Sequence, residues 1–94
     1  MTKARYDKFI RMLEDAIFEY NHAVKVLNYF PNDDQLELAA YGAMCYLRGI
    51  CDTFDKISGI SITLEFVDRS LFSEITKAQI NNVAVKVRRI RHES

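Results

Sequence analysis

Between residues 3 and 30 the apolar positions Tyr6, Ile10, Leu13, Ile17, Tyr20, Val24 and Leu27 alternate spacings of four and three. Phe9, Ala16, Ala23 and Phe30 widen the stripe on one side. This spacing predicts a long amphipathic helix with a heptad-like seam. Pro31 ends it, because the residue before a proline is pushed out of the helical region. A second seam follows: Leu36, Ala40, Ala43, Leu47, Ile50, Phe54 and Ile57. Asn32 or Asp33 is placed to cap a helix over about 33–58, and Gly59 to close it in a left-handed conformation. The helices have similar lengths and a short connection, so they must run antiparallel as a hairpin.

The last third carries two patterns at once. Ile60, Ile62, Leu64 and Phe66 alternate as in a strand. Ile60, Leu64, Val67, Leu71, Ile75 and Ala78 also form a helical stripe, and Phe72, Ile75, Ile80, Val83, Val87 and Ile90 continue it. We read the chain as all-α and as a single helical domain over 1–94. In that reading a third, mainly helical segment spans 60–94, with its helix over about 70–90. Short β elements at 60–67 and 83–88 are the minority alternative.

The second helix is apolar almost all round from Leu36 to Leu47, and such a helix is buried on more than one side. A hairpin covers one side only, so the segment 60–94 or another chain must cover the rest. Gly42 and Gly49 lie two turns apart on one line with Ala39 and Thr53. A glycine inside a helix costs roughly 0.5–1 kcal/mol against alanine. Keeping two of them points to a close helix–helix contact, with a small-molecule groove or plain tolerance as the other readings. The predicted interface comprises Leu38, Ala39, Tyr41, Gly42, Cys45, Tyr46, Gly49 and Thr53. Arg48, with acid partners at Asp52 and Asp55, is a candidate register-setting ion pair beside it.

Composition adds a charge gradient. The formal net charge is zero, so no global field draws the protein to nucleic acid or an acidic membrane. Yet residues 32–74 hold eight acids against three bases, and residues 75–94 hold five bases against one acid. Lys86, Arg88, Arg89 and Arg91 form a basic patch, either a phosphate-binding stretch or a helix end favoured by its dipole. No signal peptide or membrane-spanning stretch is visible, and two cysteines fit free thiols, so we expect a cytoplasmic protein that does not engage membranes.

Motifs that carry chemistry are lacking. Cys45 and Cys51 face different ways on one helix and cannot bond to each other without unfolding it. Glu19 and His22 match one Glu-x-x-His element of a di-iron bundle, which needs two such elements and two further carboxylates. We expect no enzyme activity, no metal and no cofactor. The expected function is a small intracellular protein acting by protein–protein interaction, as adaptor, regulator or inhibitor, and as a homo-oligomer. A nucleic-acid-associated regulator using 86–92 is the first alternative. A small-molecule sensor in the hairpin groove is the second.

Overall fold

The computed structural model describes residues 2–88. Helix α1 spans Lys3–Tyr29 and helix α2 spans Asp34–Ser58. The Thr2 hydroxyl caps α1 by accepting from the Arg5 N–H. Asp33 caps α2, its Oδ1 accepting from the N–H groups of Gln35 and Leu36 at 3.0 and 3.2 Å. Acidic Asp34 and Glu37 lie in the first turn of α2, where the helix dipole favours them. Gly59 ends α2 at φ 61, a left-handed conformation that costs a glycine nothing.

The third segment is not a helix. After Gly59 the chain forms a three-stranded antiparallel meander: β1 (Ile62–Phe66), β2 (Ile75–Ile80) and β3 (Val83–Val85). The protein is therefore α+β, and the all-α reading with a helix over 70–90 is overturned. Val67 and Leu71, two members of the proposed helical stripe, are exposed. The pattern that wins is the period of two, in which Ile62 and Leu64 face the helices while Thr63 and Glu65 face out.

Local chemistry explains the outcome. Ile80 pairs with Val83 across a two-residue loop, Asn81-Asn82. Both asparagines have positive φ, 49° and 69°, as a type I′ hairpin turn requires. Asparagine tolerates this conformation because its short side chain bonds locally. Asn81 also ties the turn to the start of β1. Its N–H donates to the Ser61 carbonyl, and its Oδ1 accepts from the Ser61 N–H. A β-bulge lies between Glu65 and Phe66, with Thr76 the extra residue opposite them. The bulge shifts the alternation, so that Ile75, Ala78 and Ile80 all point inward.

The core joins the hairpin seam to the inner face of the sheet. Leu13, Ile17, Tyr20 and Val24 of α1 meet Leu47 and Ile50 of α2 and Ile75, Ala78 and Ile80 of β2. The Phe9 and Phe54 rings stack at the open end of the hairpin. Three polar contacts fix the sheet against α1. Asn21 is buried; its Nδ2 donates to the Ile75 carbonyl at 3.0 Å and its Oδ1 accepts from the Ile75 N–H at 2.7 Å. The Tyr20 hydroxyl donates to the Ser73 carbonyl at 2.9 Å. Asn21 thus supplies what a neighbouring strand would supply, at a residue of β2 that β3 does not reach.

Burial pushes the Tyr20 phenol above its ordinary value, with the nearby Arg48 charge partly opposing. A raised pKa in the folded state adds stability that is intact below the ordinary tyrosine value of about 10 and is lost as pH rises through the folded value. Urea unfolding should therefore show a loss of stability at alkaline pH that is smaller in Tyr20→Phe. Near neutral pH the same variant should be less stable by about 1 kcal/mol, from the missing bond to Ser73.

Candidate functional site

The sheet packs over one side of the hairpin, and the residues on that side come mainly from α1. The outer surface of α2 is left open. Leu38 is 71% exposed and Tyr46 59%, and Tyr41, Cys45, Ala39, Gly42, Gly49 and Thr53 are exposed as well. The helix periodicity places Ala39, Gly42, Tyr46, Gly49 and Thr53 in one stripe, with Leu38 and Cys45 just behind it and Tyr41 toward the sheet side. The described part of the 60–94 segment therefore does not cover the back of α2.

Two hollows lie along the groove between the helices. One, of about 300 Å³, is lined by Glu19, His22, Ala23 and Val26 from α1 and Leu36, Ala39 and Ala43 from α2. The other, of about 370 Å³, is lined by Met12 and by Tyr46, Gly49, Ile50, Thr53 and Phe54. Both are open and lined mainly by apolar groups. Together they run along most of the hairpin on the side away from the sheet.

The glycines make no close approach inside the chain. A Cβ added at Gly42 or Gly49 would meet nothing within 4 Å. Alanine fits at both positions and restores helix propensity, so Gly42→Ala and Gly49→Ala should each stabilise the isolated chain by roughly 0.5–1 kcal/mol in chemical denaturation. A destabilisation would show that these backbones are covered by a contact within the chain.

The charged candidates behave differently from one another. Arg48, Asp52 and Asp55 are exposed on α2 and do not pair; the ion pair that forms instead joins Arg88 to Asp15 at 2.6 Å. The Arg88 guanidinium also lies 4.5 Å from the centroid of the Phe18 ring. These two contacts strap the chain after β3 onto the back of α1. The pair is exposed, so Arg88→Ala should cost under about 1 kcal/mol. Lys86 is exposed, and Arg89 and Arg91 lie outside the described residues. Glu19 and His22 both line the first hollow, with the His22 ring stacked on Phe18. Among the described residues no group of three His, Cys, Asp or Glu side chains could hold a metal ion.

The Cys51 thiol is a poor nucleophile. Burial, reinforced by the Asp52 charge, pushes Cys51 up, which keeps it protonated near neutral pH. No described helix is long and apolar enough to cross a membrane. The polar residues that matter most to the fold, Asn21 and Ser73, were not singled out by the sequence patterns. Asn21 adjoins the Tyr20/Val24 seam, and that position on the shoulder of a core stripe is the signal it carries. Comparison with protein-family models, with curated proteins and with solved structures found no match.

Proposed function

We propose that the protein is a non-enzymatic interaction module of the cytoplasm that works as an oligomer and binds protein through the hairpin face opposite its sheet. One observation carries this reading. The chain covers one side of its hairpin with a sheet and leaves large apolar side chains, Leu38, Tyr46 and Met12, exposed on and beside the other. Contiguous exposed apolar surface rimmed by polar residues is what interaction sites present. An adaptor, a regulator or an inhibitor would each use such a face. The nucleic-acid reading is weakened by Arg88, whose charge is taken up by Asp15 and Phe18.

Site-directed photocrosslinking in the host cell tests the proposal. A photoreactive side chain at Tyr46 or Leu38 should give discrete protein adducts. The same group at Thr63, on the outer face of the sheet, should give none. Equal adducts from all three positions, or none from Tyr46 and Leu38, would overturn it.

A further inference from the structure

The α1 lip of the open groove carries a charge pattern that is its own complement. Arg5, Lys8, Met12, Asp15 and Glu19 follow one another at spacings of three and four, so they share one stripe of the helix. All five are exposed. Met12 and Glu19 line the two hollows, which places the stripe at the groove. Two bases precede the methionine and two acids follow it.

Within a single chain this order is unfavourable. Arg5 and Lys8 are like charges three residues apart, and Asp15 and Glu19 are like charges four residues apart; both spacings put neighbours side by side on a helix. Asp15 receives Arg88 but stays 70% exposed. A second helix running antiparallel across the stripe would supply opposite charges to Arg5, Lys8 and Glu19 and a further one to Asp15. The sequence that does so is the stripe itself. Turned end for end about Met12, it sets Arg5 against Glu19 and Lys8 against Asp15, and Met12 against its own copy.

We propose that a second copy of this chain covers the part of the open face around the Met12–Gly49 hollow, related to the first by a two-fold axis that crosses the helices near Met12 and Gly49. The inference rests on the open-face reading above and adds the identity and orientation of the partner. Charge selects between the two face-to-face arrangements that a two-fold axis allows. An axis along the helices brings like ends together and crowds Arg5, Lys8 and Lys56 of both chains at one end. An axis across the helices lays α1 on its copy in antiparallel fashion and satisfies every charge of the stripe. It also sets α2 against its copy, where Gly49 lets the backbones approach and Tyr46 reaches over the neighbouring helix.

Helices of 27 and 25 residues are each about 38 Å long, and two of them side by side span about 20 Å. An axis at Met12 and Gly49 overlaps the two copies over about 3–21 of α1 and 40–58 of α2, a shared face of roughly 570 Å² per partner, which is the size of a weak, concentration-dependent interface. The product is a four-helix layer with a sheet on each outer side.

Sedimentation equilibrium of the full chain, with charge-reversed variants, tests this. Wild type should have twice the 10.9 kDa mass of the chain. Arg5→Glu/Lys8→Glu makes the stripe acidic at both ends, and Asp15→Lys/Glu19→Lys makes it basic at both ends. Each variant alone should dissociate about tenfold more readily. An equimolar mixture should recover the dimer mass, which also shows that both variants are folded. Tyr46→Glu should dissociate the dimer independently. A monomeric wild type up to about 1 mM, or a mixture that fails to recover the dimer, overturns the self-association geometry. In either case, crosslinks from Tyr46 to a different protein would leave the open-face reading standing. A dimer indifferent to all three variants likewise overturns the geometry, and the open-face reading falls with it only where Tyr46 and Leu38 give no crosslinks.

Discussion

Replacing Asn21 with leucine is expected to destabilise the protein by about 3 kcal/mol and to loosen the sheet from the helices. Leucine matches asparagine closely in size and shape, so the change removes hydrogen bonds with little change in volume. The Asn21 side chain satisfies both backbone groups of Ile75, which is 2% exposed. Without it a buried N–H and a buried carbonyl lose their partners, and each costs roughly 1–3 kcal/mol. Urea denaturation would measure the loss. Native-state hydrogen exchange would locate it, with the amides of β2 losing protection more than those in the middle of α1. Asn21→Asp separates the two bonds. The carboxylate still accepts from the Ile75 N–H but repels the carbonyl, and it regains a donor only when protonated. That variant should therefore recover stability as pH falls, in a pH range where wild type does not.

Leu13→Ala should cost about 3–5 kcal/mol, while Leu38→Ala costs under about 0.5 kcal/mol. The side chains are chemically identical and differ only in where the fold puts them. Leu13 is fully buried at the centre of the seam, among side chains of both helices and the sheet. Its truncation loses transfer free energy and leaves a cavity that three packed elements cannot easily close. Leu38 is already in water, so its truncation removes little. For a domain of this size total stability is of order 5–10 kcal/mol. Leu13→Ala therefore consumes about half of it, which by thermal unfolding is a drop of roughly 12–40 °C. Leu38→Ala should leave the transition in place and instead weaken whatever docks on α2. A large loss from Leu38→Ala at a monomeric concentration would show that the back of α2 is covered by the chain itself.

The helices were legible because each rests on many residues that agree. The seam from Tyr6 to Leu27 repeats without a break, and Pro31, Asp33 and Gly59 mark the ends by fixed local chemistry. The strands are short, five, six and three residues. Over so few positions the periods of 2 and 3.6 fit equally well, and the stretch from Ile60 to Phe66 satisfied both. The Asn81-Asn82 pair was the local signal that could have separated them. Two adjacent asparagines between Ile80 and Val83 are poor in a helix and suited to a tight hairpin turn. The bulge at Thr76 hid the rest, because it shifts the inward positions from even to odd spacing.

The candidate interface divides in the same way. Periodicity showed that α2 is apolar on more sides than a hairpin can bury, and it placed Gly42, Tyr46 and Gly49 on one stripe. It could not say what covers that stripe. The side of the hairpin taken by the sheet depends on contacts more than fifty residues apart, from Tyr20 to Ser73 and from Asn21 to Ile75. The sequence by itself determined the two helices, their antiparallel pairing and the caps of the second, because those follow from the local backbone and from a repeating apolar spacing. Only the tertiary structure decided that the last third is a sheet, that it packs against α1, and that α2 keeps its outer face in water. These outcomes turn on which distant backbone groups find partners, and no short window of residues contains both members of such a pair.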